Sequence, residues 1–405
     1  MDVTHLTALR RELHSNPELG FKEHQTAERV ARHLSELGLE VHRGVGKTGV
    51  VGVLRRGASG RSIGLRADMD ALPMADQGEQ PWRSNVDNVC HACGHDGHTV
   101  MLLGAAERLA RDPGVNGTVC FIFQPAEEGL AGAQAMIDDG LFTRFPCDEV
   151  YALHNWPELP VGAASTRSGP IMAAADRFDI TLSGPGGHAA QPHLTHDTLL
   201  ATSELVVQLN TIVSRVVDPC EPGLLSVTRI QGGSSHNMIP SRAAITGTVR
   251  TFSATAQDAI ERQLRLMANH ISAAHGLEAA VDYHRYYPAT VNAPEQAQAA
   301  LAAARAAGLD AQEAPAPALT SEDFAFMLRA RPGAYLWLGS GPGRPLHHSA
   351  YDFNDEVIPL GIRWFVKSPA LVLVRNFLTL TPWISTANAA VAGITAACGV
   401  GLLRY

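Results

Sequence analysis

Charge is scarce in this 405-residue chain: Asp, Glu, Lys and Arg together make up 18%, below the roughly 25% usual for soluble proteins. Basic side chains are in deficit, 32 against 40 acidic ones, for a net charge of −8. With no basic excess to meet phosphate charge, a nucleic-acid binder is disfavoured. Six cysteines over this length are too sparse for a small disulfide scaffold. The N-terminal MDVTHLTALRREL lacks an apolar run that could serve as a secretory signal. Apolar residues, in contrast, make up 45%, enough to fill a core, which rules out a disordered chain. The expectation is a soluble, cytoplasmic globular protein of two or three domains. It carries 18 histidines, and their positions matter more than their number.

Apolar spacing of three and four residues predicts helices over 5–13 and 25–37, with Gly38 as a C-cap. Strands are expected over 50–54 and 62–66, around a Gly-Ala-Ser-Gly turn, and again over 118–123 and 149–154, with helices over 98–109 and 132–137. Strands alternating with helices argue for an α/β domain with a largely parallel sheet. After Gly169 the pattern changes. Strand 177–182, helix 198–217, strands 224–230 and 243–251, helix 256–274 and strand 279–283 follow the ferredoxin-like order. This segment reads as a separate α+β domain inserted into the first. The boundaries are 1–174 and 293–367 for the first domain, 175–292 for the insert, and 368–405 for an atypical tail. No residue between Arg375 and Arg404 is charged. Length permits a membrane helix there, but Pro382, Asn388, Gly393 and Gly399 weaken that reading, and a membrane association is not expected.

One glycine motif is a decoy. GVGKTG (44–49) fits a dinucleotide-binding pattern by letter but precedes a strand, where phosphate binding needs a helix N-terminus; a turn is the better reading. Cys90 and Cys93 form a lone C-x-x-C among histidines, which favours metal chemistry over a redox pair. A base-deaminase zinc site would need H-x-E and P-C-x-x-C, and neither is present.

Four segments carry the chemistry. HACGHDGH (91–98) sets Cys93 and His95 either side of a glycine at the mouth of a helix, both good donors to a divalent transition metal. FQPAEEGLAGA (123–133) puts adjacent carboxylates at the carboxyl end of a strand, where open α/β sheets bind ligands. One carboxylate can ligate metal while its neighbour acts as general base. YALHNWP (151–157) ends another strand with His154, and PLHHSAYDFND (345–355) places His347 and His348 in a loop after strand AYLWLG. Each alone is an ordinary side chain. Four separate strand or loop ends supplying Cys/His, Glu/Glu, His and His point to a metal hydrolase centre.

Those segments, with HSNPELGF (14–21), LRADMDALP (65–73), GPGGHAAQPH (184–193), GTVRTF (247–252) and SEDFAFML (321–328), occur in an order that resembles the hippurate hydrolase and auxin-conjugate hydrolase group of metal-dependent amidohydrolases. These are relatives of aminoacylase, acetylornithine deacetylase and certain carboxypeptidases. The resemblance covers roughly residues 5 to 365. It implies a zinc-peptidase-like catalytic α/β domain holding two divalent ions per subunit (Zn, Mn, Co or Ni not distinguished), an inserted ferredoxin-like dimerisation domain, and a homodimer or higher homo-oligomer. The implied substrate is an N-acyl amino acid or short peptide, its amide cleaved by a metal-activated water.

By the same resemblance Cys93, His95, Glu128, His154 and His347 are the metal ligands, with His347 preferred to His348. Glu127 is the general base, and Asp70 orients a ligand or tunes the site. His188 assists the substrate carbonyl across a dimer, Asn237 matches the asparagine of a GGxxxN segment, and Arg250 meets the substrate carboxylate. Pro185, where the group often has lysine, and Ser349, in place of a common proline, depart from the pattern without touching the chemistry. The tail after about Val366 departs from the group's closing polar helix. A dipeptidase or carboxypeptidase of the same fold, and a catalytically silent metal- or partner-binding homologue, are the rival readings.

Overall fold

The computed structural model describes residues 2–373; the rest of the uncharged tail lies outside the described residues. Six strands, β1 (Glu40–Val45), β2 (Gly49–Arg56), β3 (Ser62–Asp68), β4 (Gly117–Gln124), β5 (Glu149–Trp156) and β6 (Ala163–Thr166), build most of the main sheet. Between β7 (Gly169–Met172) and β14 (Thr290–Asn292), which pair with each other, lie β8 (Ala174–Ser183), β9 (Gly187–His188), β10 (Gly223–Gly232), β11 (Met238–Ile239), β12 (Arg242–Thr251) and β13 (Glu278–Tyr287). Then β15 (Asp310–Glu313) and β16 (Gly333–Gly339) return to the main sheet. Its order is β1-β2-β4-β3-β5-β16-β6-β15. The four central strands β4, β3, β5 and β16 run parallel, so their carboxyl ends open on one edge.

Both faces of that sheet are buried, and the strand alternation shows how. Phe121, Phe123, Tyr151, Leu153, Leu336 and Leu338 enter one core. Their neighbours Cys120, Ile122, Val150, Ala152, Tyr335 and Trp337 enter the other. The first core is covered by α1 (Thr4–Ser15), α2 (His24–Glu36), α3 (His95–Arg111), α10 (Pro294–Ala306) and α12 (Ile358–Leu373); the second by α5 (Gly132–Asp138), α6 (Leu141–Arg144) and α11 (Phe324–Ala330). The expected hairpin-like neighbours 50–54 and 62–66 are not adjacent: β4 pairs with both and lies between them. GVGKTG forms the β1–β2 turn, so no helix N-terminus follows it. Helix α12 runs through the expected 367/368 boundary to Leu373.

The insert builds its own four-stranded antiparallel sheet, β10-β12-β8-β13. In chain order that is 4-1-3-2 read from β13, with helices after the first and third strands, which is the ferredoxin-like arrangement. Its core is separate, made of Phe178, Ile180 and Leu182 on β8, Ile245 and Val249 on β12, and helices α7 (Thr198–Leu209) and α9 (Ala254–Ala274). The expected single helix 198–217 breaks at Asn210–Thr211 into α7 and α8 (Ile212–Val216). Among the described residues no helix is long and apolar enough to cross a membrane.

Candidate metal centre and active site

The carboxyl edge of the parallel strands gathers the polar side chains. Just past β3, the Asp70 carboxylate accepts the amides of Glu127 at 3.0 Å and Glu128 at 2.9 Å. Those two residues open the short turn α4 (Glu127–Leu130) just beyond β4, whose Glu128 and Gly129 leave helical geometry. The turn is flanked by Ala126 and Ala131, both left-handed, a conformation that costs a non-glycine residue about 1–3 kcal/mol unless its surroundings enforce it. Here they do: the buried Glu23 carboxylate takes the Ala126 amide at 2.8 Å. The strain buys two adjacent carboxylates with different directions.

Helix α3 starts at His95, three residues before the expected start, because Gly94 supplies a left-handed N-cap at φ +92°. A Cβ at Gly94 would collide with the Asn155 side chain at 2.4 Å. That tight entry brings Cys93 and His95 to the strand ends. His95 Nδ1–H donates to the Asp70 carbonyl at 2.9 Å, which leaves Nε2 buried without a hydrogen bond, 3.7 Å from the Asp68 carboxylate. His154 repeats the device: Nδ1–H donates to the Asn155 carbonyl at 2.8 Å, and Nε2 faces the Cys93 sulfur at 3.4 Å. Pinning one ring nitrogen so that the other points inward is how metal-ligating histidines are oriented.

Glu128 lies between two imidazoles. Its Oε1 is 3.3 Å from His347 Nε2 and 3.9 Å from His95 Nε2, and it is buried without a hydrogen bond. His347 reaches the site from a left-handed backbone at φ +63°, its amide held by the Ala92 carbonyl. His348 turns back on its own loop, where its Nδ1 accepts the Ala350 amide. Two overlapping donor sets result, Cys93–His95–His154 and Cys93–Glu128–His347, each with its donor atoms within 4.8 Å of one another. A thiol, three imidazoles and a carboxylate, with one nitrogen and one oxygen orphaned in the interior, fit a divalent transition-metal pair better than any arrangement of protein hydrogen bonds.

The electrostatics agree. Burial, then Glu128 and Glu127, pushes the Cys93 thiol well up; a bound cation reverses that cost. Burial, then His98, holds His154 well below its ordinary value, neutral and ready to donate a lone pair. Burial opposes charge on His95 too, yet Asp68, Asp70 and Glu128 raise its pKa to about 10. Glu127 is pushed well above the carboxylate range by burial, then by Glu322, Glu128, Asp323 and Asp70.

Beneath the site lies a buried ionic post that sequence reasoning missed. Arg66, with no exposed surface, bonds Asp68 at 2.8 Å, Glu322 at 2.9 Å, Asp323 at 3.2 Å and Gln124 at 2.8 Å. Asp68 also bonds His98 at 2.6 Å, and the Tyr335 hydroxyl donates to Glu322 at 2.6 Å. LRADMD and SEDF were visible as motifs; the alternation of Arg66 and Asp68 along one strand was the signal that both face the same side.

A cavity of about 640 Å³ opens above the donors, lined by Glu127, His347, Trp156, Arg250, Tyr286 and Tyr287 among others. Arg250 bonds Thr248 and the Val249 carbonyl. His188 and Asn237 are not brought to this cavity. They sit on the exposed two-stranded ribbon β9–β11 and its approach, where His188 pairs with Met238 and the Ala189 amide donates to the Asn237 carbonyl at 3.0 Å.

A sequence model of peptidase family M20/M25/M40 matches residues 64–369. The chain is 40% identical to a hippurate hydrolase of Campylobacter jejuni over 89% of this chain and 94% of that one. It is 36% identical to an N-acetylcysteine deacetylase of Bacillus subtilis over 91% and 97%. A crystal structure of a dinuclear metal-binding peptidase of the M20 family from Bacillus subtilis superposes with a TM-score of 0.82 at 34% identity, covering 91% of this chain and 98% of that one.

Proposed function

This chain belongs to peptidase family M20/M25/M40, and from that premise we propose that it hydrolyses the amide bond of N-acyl amino acids with a pair of divalent cations. The observation that carries the reading is the convergence of Cys93, His95, Glu128, His154 and His347, with His95 Nε2 and Glu128 Oε1 buried and without a hydrogen bond. These five hold the cations. Bound divalent cations supply Lewis acidity, which moves the pKa of a water from 15.7 toward about 7 and polarises the scissile carbonyl. The Cys93 thiolate and the imidazoles suit zinc, while the carboxylate leaves room for manganese.

The chain's own groups do the rest. Glu127, raised in basicity and lining the cavity beside Glu128, takes a proton from the attacking water and passes it to the departing amine. Asp70 fixes the two glutamates by their amides and His95 by its carbonyl. Arg250, whose bonds run to a hydroxyl and a carbonyl, offers its charge to the substrate carboxylate. The hippurate hydrolase and N-acetylcysteine deacetylase relatives support an N-acyl amino acid as substrate.

A homodimer completes the proposal. β10 is an edge strand, and Leu224 and Ile230 on it and Leu199, Leu200 and Val207 on the adjoining α7 are exposed. An unpaired edge with an apolar border invites a second copy. Such a copy gives the exposed His188 a partner's cavity to enter, where it acts as donor to the carbonyl oxygen; Asn237 sits on the same ribbon.

Metal analysis paired with a panel of hippurate, N-acetyl-amino acids and dipeptides tests the reading. N-acyl amino acids are expected to turn over best. Turnover of dipeptides alone would make the chain a peptidase of this fold. Full metal occupancy with no turnover would make it a silent binder.

A further inference from the structure

Tyr287 ends β13, where the chain leaves the small sheet, and a register irregularity between Arg285 and Tyr287 marks the departure. Three residues on, the chain is already paired to β7. The phenol thus stands on the return crossing, yet its oxygen belongs to the turn that bears Glu127. It donates to the Glu127 carbonyl and accepts the Ala131 amide at 3.3 Å. The ring is buried, lies edge-on to Phe326 with centroids 6.1 Å apart, and lines the same cavity as Glu127.

The turn depends on side chains because its backbone cannot follow a helix. Glu23 takes the Ala126 amide, Asp70 takes those of Glu127 and Glu128, and Asp323 takes that of Ala133 at 2.9 Å. All three acids come from the main-sheet body. One hydroxyl from β13 serves both the Glu127 carbonyl and the Ala131 amide. The direction of a short carboxylate side chain follows from the backbone that carries it.

We infer that Tyr287 is a positioning residue for Glu127, aiming the base from the strand that returns from the small sheet. The inference rests on Glu127 being the base, as proposed above. Tyr287→Phe keeps the ring and removes one donor and one acceptor from the turn. Tyr283→Phe is the control, because it also deletes a buried hydroxyl from β13, the one that donates to Asp176 at 2.7 Å.

The test uses the full chain and two readouts. Hydrogen–deuterium exchange across residues 126–133 should quicken about tenfold in Tyr287→Phe and stay unchanged in Tyr283→Phe. With an N-acyl amino acid, kcat should fall at least tenfold in Tyr287→Phe, with KM within about twofold and metal content unaltered. Unchanged exchange in the turn overturns the inference whatever the activity does. A raised KM at constant kcat overturns it too, since Tyr287 would then be a substrate contact. A wild-type chain inactive on every amide would refute the proposed function, while the exchange comparison would still decide whether Tyr287 holds the turn.

Discussion

Asp70→Asn isolates the residue that ties the proposed base, the proposed ligands and the helix entry together. The carboxylate accepts a buried amide at 3.0 Å and a half-buried one at 2.9 Å, and its Oδ1 lies 3.4 Å from His95 Nδ1. Asparagine offers one oxygen and turns an NH₂ group toward the other amide. One charge-assisted bond is lost and the other becomes neutral, which costs about 1.5–3 kcal/mol. The negative charge that makes His95 a better donor disappears as well. Removing a partner of this kind typically weakens metal affinity about 10–100-fold, or roughly 1.4–2.8 kcal/mol, the same size as the hydrogen-bond term. Chelator competition should therefore show metal dissociation constants raised 10–100-fold, and kcat should stay depressed even at saturating metal because Glu127 is no longer held. Wild-type affinity together with wild-type kcat in Asp70→Asn would refute this reasoning.

Three more outcomes follow from the same geometry. Glu127→Gln should retain its metal by elemental analysis and lose about 10²–10⁴ in kcat; near-normal turnover would remove Glu127 from its role. Arg66→Met leaves Asp68, Glu322 and Asp323 buried without their cation, so denaturant unfolding should show about 3–5 kcal/mol lost; a loss under about 1 kcal/mol would mean the post is dispensable. His14, bonded to Asp96 at 2.8 Å beside Arg10, keeps a raised pKa because Asp96 outweighs the burial that opposes its charge. Its stabilising contribution is fully present below about pH 6.5 and is lost as pH rises through the higher folded value. Urea unfolding of His14→Gln against wild type should show the largest gap at low pH, narrowing above pH 7; a gap that widens with pH would contradict the assignment.

The sequence exposes what is local. Short apolar runs marked β2, β3, β4, β5 and β16 of the main sheet, alternation marked β8, and the 4-1-3-2 sheet was implicit in the order of its elements. Cys93, His95, Glu127, Glu128 and His154 were legible because each sits in a short motif at a strand or helix end. The missing pieces are those whose role depends on distant partners. Glu322 and Asp323 meet Arg66 across more than 250 residues, and Glu23 meets Ala126 across 103; no periodicity reports such pairings. Strand β1 was missed because this edge strand buries only Val45 fully and so offers no continuous apolar face to alternate. His188 shows the converse: a motif can name a residue that one copy of the chain does not bring to the cavity.

The most direct measurement is metal stoichiometry on the purified chain, set beside hydrolysis of an N-acyl amino acid. Two divalent transition ions per chain are expected, with fewer than two in Glu128→Ala, and activity that vanishes on chelation and returns with added metal. Undiminished hydrolysis by a chain stripped of all metal would contradict the account.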